Sequence, residues 1–176
     1  MLKIIIFFLI LTLSLNAYET EDKLKVIIVG KIAKHISCNK KSVDTFTITI
    51  FKDPFNGLFD EIYRDKEIKS RSVKIVHIDN IDNLTSTNVL YIPKVSYSEL
   101  SHILKKTEDK KILTISDNRG FASRGGVIQL YFVSQKLKLK INTSSAKKKN
   151  IQIAPMLLRI SDVVKGDSLW NSSTLN

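Results

Sequence analysis

Cysteine is almost absent from this chain of 176 residues, which contains only Cys38. A single thiol cannot form a disulfide within the chain, so a disulfide-stabilised scaffold is excluded. The three histidines are scattered and give no zinc-ligand spacing. Six glycines and three prolines are too few for a low-complexity chain, and an apolar content of 43% is too high for an intrinsically disordered one. The length therefore predicts one folded domain without a metal or other cofactor.

Long apolar runs are also scarce, and the one that stands out lies at the N-terminus. Lys3 precedes an apolar stretch over residues 4–13, and Ala17 offers a small residue at a cleavage position. This layout predicts a signal peptide over residues 1–17, with an uncleaved N-terminal anchor as the alternative. We expect an exported domain over residues 18–164 and a polar tail over residues 165–176. Cys38 would be buried, free to react, or paired with another molecule.

Acidic residues are in the minority, with 17 Asp and Glu against 28 Lys and Arg and a formal net charge of +11. Lysines at positions 138, 140 and 147–149 could form one basic surface. An exported protein without an aromatic and basic platform is not expected to bind nucleic acid. An anionic lipid or envelope polymer, or simply a solvated lysine-rich face, accounts for the charge.

The hydrophobic pattern alternates between strand and helix along most of the chain. Strands are predicted over residues 46–51, 73–78, 88–93 and 112–116, and a hairpin over residues 127–133 and 137–141. Helices are predicted over residues 55–63, with Pro54 in the first turn, and over residues 96–106, with Tyr97 facing inward. Two more follow. One is capped by Asn142 or Thr143, and the other runs from Pro155 to Val164, with Met156, Leu157, Ile160 and Val164 facing inward. Residues 20–36 fit a strand or a helix equally well.

This order of elements predicts an α/β fold. We expect a compact single domain with a mixed sheet, helices on the faces of the sheet and a C-terminal antiparallel hairpin.

The most distinctive segment is SDNRGFASRGG over residues 116–126, which follows a predicted strand. Ligand loops of α/β sheets often take this place, and Arg124 could bind an anion. The segment is not a phosphate-binding loop, because Gly126 and Val127 stand where Lys and Ser or Thr are needed. A purely structural loop is the alternative.

A hydrolytic site is poorly supported, so we do not expect an enzyme. Ser123 lies in no nucleophile-elbow motif, and His35, His77 and His102 lie on three different predicted elements. For His77, which alternates with Val76 and Ile78, the strand pattern favours a structural role facing the sheet.

From about Leu24 to Val164 the chain resembles the YfiR-like family of exported bacterial proteins. The resemblance rests on an ordered block of motifs: a strand ending in Ser-Asp, a GFA-x-x-GG loop, a hairpin ending in Ile-Asn, an Ala-bearing helix and a terminal Leu-Leu helix. These appear here as Ser116-Asp117, Gly120-Phe121-Ala122, Gly125-Gly126, Ile141-Asn142, Ala146 and Leu157-Leu158.

The resemblance implies a helical opening segment and a non-catalytic, dimeric periplasmic regulator. Such a protein would repress an inner-membrane diguanylate cyclase, or act with a sensor kinase, and so control cyclic di-GMP and biofilm formation. An outer-membrane lipoprotein is a further implied partner. The studied regulator depends on disulfides, which Cys38 alone cannot provide within this chain. A small-molecule or envelope-anion binding protein that feeds a sensor kinase or receptor is the alternative.

The candidate partner- or ligand-binding surface is the glycine loop with the neighbouring hairpin. Phe121 would be an anchor if exposed, although a core position is also compatible with the pattern. The candidate residues are Asp117, Gly120, Phe121, Arg124, Gly125, Gly126 and Asn142.

Overall fold

The computed structural model describes residues 21–38 and 45–165. The first half contains helix α1 (residues 21–34), strands β1 (Ile36–Cys38) and β2 (Thr45–Phe51), helix α2 (Leu58–Tyr63), strands β3 (Ser72–Ile78) and β4 (Val89–Ile92), helix α3 (Tyr97–Thr107) and strand β5 (Leu113–Ser116). The second half contains strands β6 (Ile128–Val133) and β7 (Lys136–Asn142), helix α4 (Thr143–Lys148), strand β8 (Ile151–Ile153), helix α5 (Pro155–Arg159) and strand β9 (Asp162–Val164). The predicted signal peptide, the tail from residue 166 and the side chain of Cys38 lie outside the description.

Seven strands form one mixed sheet in the order β3-β2-β4-β5-β6-β7-β9. The five strands from β3 to β6 are parallel, β7 is antiparallel to β6, and β9 is parallel to β7. Strands β1 and β8 form a separate antiparallel pair, with Ile36 opposite Ile153. The predicted mixed sheet with a C-terminal antiparallel hairpin is confirmed. The loop between β6 and β7 consists of Ser134 and Gln135, with φ of 47° and 63°. Two-residue hairpin turns need positive φ at both positions to match the twist of the flanking strands.

Both faces of the parallel sheet are buried, and β4 shows why its sequence is almost continuously apolar. Val89 and Tyr91 belong to the buried cluster that includes residues of α1 and α2, whereas Leu90 and Ile92 belong to the cluster that includes residues of α3. Since successive side chains of a strand point to opposite faces, a strand covered on both faces needs apolar residues at every position. Helices on both faces of the sheet are therefore confirmed.

A tyrosine of α2 fixes the position of α1. The Tyr63 hydroxyl accepts a hydrogen bond from the backbone N–H of Gly30 and donates one to the carbonyl oxygen of Val26, both at 2.7 Å. Gly30 is required for this approach, because a Cβ there would lie 2.3 Å from the hydroxyl oxygen. Burial raises the pKa of Tyr63 to about 12, against a lowering effect of the Gly30 hydrogen bond. The hydroxyl therefore stays protonated and keeps both of its bonds.

Three details of the predicted elements differ in the structure. Residues 21–34 are helical, as the family resemblance favoured, but the segment ends in strand β1. Helix α2 begins at Leu58, so Pro54 lies outside it. The Asp53 carboxylate accepts hydrogen bonds from the N–H groups of Phe55 and Gly57, at 2.9 and 3.0 Å, and so holds the chain in a turn before the helix.

The third difference lies at the C-terminal end of the domain. Helix α5 ends at Arg159, and the chain then forms strand β9, whose Val164 pairs with Asn142 of β7. The helix predicted as far as Val164 is therefore wrong. The free edge of β7 supplies hydrogen-bond partners, and two consecutive valines suit a strand better than a helix.

Candidate functional site

The segment after β5 is held firmly against the chain that follows β4. Asn118 is buried, and its side chain donates to the carbonyl oxygen of Pro93 and, at 2.8 Å, to the hydroxyl of Ser116. Its side-chain oxygen accepts from the N–H of Val95 at 3.0 Å. The loop therefore leaves the carboxyl end of the parallel sheet in a defined direction. This is the edge at which open α/β sheets bind ligands.

Phe121 and Gly126 pack against each other inside the protein. Phe121 is completely buried on the α3 side of the sheet, and a Cβ at Gly126 would lie 2.1 Å from its ring. Phe121 thus occupies a core position and offers no exposed anchor. Gly126 is needed because the Phe121 ring leaves no space for a side chain.

Asn142 joins the glycine loop to the N-terminus of α4. Its side-chain oxygen accepts from the N–H of Ser145 at 2.9 Å and caps the helix, as one of the two predicted capping residues. Its side-chain N–H donates to the carbonyl oxygen of Ala122 at 2.7 Å. The residue is fully buried, so its part in a binding surface is to position the loop.

Arg124 is one of the exposed residues of the loop, with Arg119 and Ser123. Its guanidinium lies over the ring of Tyr97, 4.5 Å from the ring centre, and so covers a tyrosine that is 49% exposed instead of facing inward as predicted. Gly120 and Gly125, with φ of 77° and 98°, bracket the short 3₁₀ helix that carries Arg124. The two glycines therefore set the place at which the guanidinium meets solvent.

Asp117 takes part in a buried charge cluster that the sequence did not indicate. Lys25 of α1 forms ion pairs with Asp117 at 3.1 Å and Asp22 at 3.2 Å. Burial acts to lower the pKa of Lys25, but the two carboxylates, Asp117 foremost, raise it above its ordinary value. The hydrophobic pattern of residues 20–36 fits a strand or a helix, so the sequence alone does not predict this long-range pair.

The same cluster contains a buried tyrosine. Burial, with the nearby charges of Asp117 and Asp22, raises the pKa of Tyr91 well above its ordinary value. The Tyr91 hydroxyl and one Asp117 oxygen are buried without an aligned hydrogen-bond partner among the residues described. Asp117 therefore connects α1 with the carboxyl end of the sheet.

A group of exposed apolar side chains lies near the C-terminal end of the described chain. Met156, Ile160 and Val163 are 49%, 65% and 46% exposed, although Met156 and Ile160 had been predicted to face inward. Met156 lies in α5 and Ile160 is the residue that follows its last turn, and a spacing of four residues places two side chains on one side of a helical turn. Exposed apolar side chains that cluster on a surface often mark a contact with another protein.

The polar residues of the described ranges do not form a cluster of three or more His, Cys, Asp and Glu side chains suited to a metal. His77 contacts Asp60 at 2.7 Å and lies 3.6 Å from Asp53, at the carboxyl end of β3. Its imidazole is partly exposed and contacts the Asp60 carboxylate of α2. None of the helices described has the length and apolar character needed to span a membrane.

The decisive comparison is with protein families. A family model described as YfiR/HmsC-like matches residues 22–162. The chain belongs to the YfiR/HmsC-like family. This family consists in general of periplasmic, non-catalytic regulators of cyclic di-GMP signalling that act with signalling partners. The matched span includes the glycine loop, Asn142 and the exposed apolar group up to Ile160.

Solved structures share the fold of this YfiR/HmsC-like chain at low sequence identity. A conserved domain protein from Vibrio cholerae O1 biovar El Tor strain N16961 is similar with a TM-score of 0.54 and 12% identity, over 81% of this chain and 60% of that one. An ABC domain from Streptococcus pneumoniae, solved in complex with L-Trp, is similar with a TM-score of 0.54 and 10% identity, over 77% of this chain and 59% of that one. This chain thus spans about three fifths of either protein. No curated protein is significantly similar to it in sequence.

Proposed function

We propose that this protein is a periplasmic, non-catalytic regulator that binds the periplasmic domain of an inner-membrane diguanylate cyclase and represses it. Release of the cyclase would raise cyclic di-GMP and promote biofilm formation. The observation that carries the proposal is the YfiR/HmsC-like match over residues 22–162. A sensor kinase in place of the cyclase, an outer-membrane lipoprotein as a second partner, and a homodimer as the binding unit belong to the same proposal.

The partner-binding surface has two parts in this proposal. Met156, Ile160 and Val163 supply apolar contact area, because they are large apolar side chains left in solvent. Arg124 supplies the charged contact from the glycine loop, where the Tyr97 ring holds its guanidinium at the surface. Arginine and large apolar side chains are well suited to such contacts, since an interface needs both buried area and directional hydrogen bonds.

The remaining candidate residues support this surface structurally and do not contact the partner. Phe121, Gly126 and Asn142 are buried and fix the loop, while Gly120 and Gly125 shape the turn that presents Arg124. Asp117 ties the loop to α1 through Lys25. A signal that changes this arrangement would alter the population of the repressing state. A coupling free energy of about 1–3 kcal/mol is enough for reversible control.

Deletion of the gene and complementation in the source bacterium test the proposal. We expect deletion to raise cellular cyclic di-GMP and biofilm mass, and the wild-type gene to restore both. Ile160→Asp should fail to restore them, because a carboxylate would have to be desolvated at the contact. Val133→Asp is the matched control, since Val133 is 50% exposed at the end of β6 and does not belong to the exposed apolar group.

Co-purification with the membrane fraction identifies the partner. A membrane protein with a diguanylate cyclase domain should be recovered with the wild type and lost with Ile160→Asp. Recovery of a histidine kinase instead would replace the cyclase in the proposal. An unchanged level of cyclic di-GMP after deletion would exclude repression of a cyclase.

A further inference from the structure

A basic groove lies between α3, the short 3₁₀ helix Ala122–Arg124 and α4. Its volume is about 670 Å³, against about 470 Å³ for a second depression on the surface. A groove of this size can hold a small organic molecule, since ligand pockets span about 300–1,000 Å³. Its polar lining includes three serines and the backbone of Gly125. The groove is thus large enough and polar enough for a charged ligand.

The lining of the groove carries a strong excess of positive charge. It includes Lys105, Arg124, Lys148 and Lys149, against the single carboxylate of Glu108. That carboxylate is already engaged by Lys148, whose hydrogen bond holds the pKa of Glu108 below its ordinary value. Lys105 and Arg124 have no carboxylate within ion-pair distance among residues 21–38 and 45–165. An anion in the groove would therefore meet cations that are not neutralised by the protein.

Two of these cations are fixed before any ligand arrives. Arg124 rests on the Tyr97 ring, which leaves the edge of its planar guanidinium available for two parallel hydrogen bonds to one anion. Lys149 is buried, and its ammonium donates to the carbonyl oxygens of Thr107 and Glu108 at the end of α3. An ammonium has three N–H donors, so one is left for a ligand. Preorganised donors of this kind reduce the entropy cost of binding.

We propose that this groove binds a small organic phosphate, with Arg124 and Lys105 contacting the phosphate and Lys149 adding a third donor. A phosphate monoester carries about −1.5 to −2 charges at neutral pH, which matches the cations better than the single charge of a carboxylate. The ligand would be the signal of the regulator proposed above. The two proposals can fail separately, because the binding test needs no protein partner.

Titration calorimetry of the purified protein with glycerol 3-phosphate, inorganic phosphate and acetate tests the site. We expect both phosphates to bind and acetate to bind at least about tenfold more weakly. Arg124→Glu should weaken phosphate binding by about tenfold or more, since it removes a charge-assisted hydrogen bond and places a carboxylate beside the anion. Lys136→Glu is the control, because it makes the same charge change at an exposed position on the hairpin. Its effect should stay below about twofold at 150 mM salt, where charges further apart than about 8 Å are screened.

A second variant and a second probe keep the outcome clear. Lys105→Glu changes an exposed residue of α3 and should reproduce the loss, even if Arg124→Glu alters the loop. Equal losses in Lys136→Glu and the groove variants would show a nonspecific charge effect and overturn the proposal. So would a failure of both phosphates to bind at 10 mM, or binding only to phosphatidylglycerol vesicles and not to glycerol 3-phosphate.

Discussion

A methyl group added at Gly126 would have no room in the folded protein. Its position would lie 2.1 Å from Cε1 of Phe121 and 2.4 Å from Cδ1 and Cζ. Carbon atoms that are not bonded pack about 3.5–4.0 Å apart, so the ring would have to withdraw by more than about 1 Å. Phe121 is completely buried and has no free space to enter. Overpacking of a core costs about 1–3 kcal/mol, and we expect Gly126→Ala to fall in the upper half of that range.

Urea unfolding followed by circular dichroism measures this loss. A double-mutant cycle with Phe121→Ala separates the clash from other effects. Phe121→Ala alone should cost about 3–5 kcal/mol because it empties a core site. In that background Gly126→Ala should cost less than about 0.5 kcal/mol, since the atoms that it would meet are gone. Trimethylamine N-oxide can keep the weaker variants folded during the measurement.

Gly125→Ala provides the matched control one residue away. A Cβ there would meet nothing within 4 Å, but φ is +98°, where side chains are strained. Its cost of about 1–2 kcal/mol should therefore be the same with Phe121 or with alanine at position 121. If Gly126→Ala leaves the free energy of unfolding unchanged, or costs the same in both backgrounds, steric contact with the ring is the wrong explanation.

Further substitutions test contacts elsewhere, each by urea unfolding. Asn142→Ala should cost about 2–3 kcal/mol, because it removes a helix cap and a buried hydrogen bond. Ser96→Ala is the control, because it removes the exposed cap of α3, and it should cost about 1 kcal/mol. An equal cost for Asn142→Ala and Ser96→Ala would contradict the buried hydrogen bond of Asn142. Tyr63→Phe should cost about 1–3 kcal/mol through loss of the hydroxyl that bridges two backbone groups of α1; a cost near zero would contradict the bridge.

Lys149→Met tests a pH dependence. Burial lowers the pKa of Lys149 to about 8 from an ordinary value of 10.5. The unfolded chain therefore binds more protons than the folded protein between these pH values, and stability rises with pH across them. The wild type should therefore gain about 2.5 kcal/mol relative to Lys149→Met between pH 7 and pH 10. A constant difference between the two proteins across that range would show that burial does not penalise the ammonium.

The parallel sheet could be predicted from sequence because its signals are local. The apolar run of β4 requires cover on both faces, and Asn142 lies where a side-chain cap is needed at the start of α4. The last elements of the domain could not be predicted correctly. The spacing of apolar residues from Pro155 onward fits a helix, but residues 162–164 instead form β9, which hydrogen-bonds to the edge of β7. The pairing of β9 with β7 is a tertiary contact, so the hydrophobic periodicity of the segment does not indicate it.

In the candidate site, too, local features could be predicted from sequence and tertiary contacts could not. A loop after β5 was predictable from the glycines and the preceding strand. The burial of Phe121 beneath Gly126 and the stacking of Arg124 on Tyr97 were not, because they join elements that are separated in sequence. The pairing of Lys25 with Asp117 joins residues far apart in sequence and depends on a segment whose helical state the hydrophobic pattern left open.

The Tyr63 hydroxyl has a consequence for how much the N-terminal helix can move. Gly30 is the position of α1 that admits the tyrosine, so a slip of α1 by one residue would bring Val29 or Lys31 against the ring. Lys25 sets the rotation of the same helix through Asp117. The Tyr63 hydrogen bonds fix the position of α1 along its axis, and the Lys25–Asp117 pair fixes its rotation. Helix α1 therefore cannot shift gradually along the domain. It can stay docked in one register or detach as a unit.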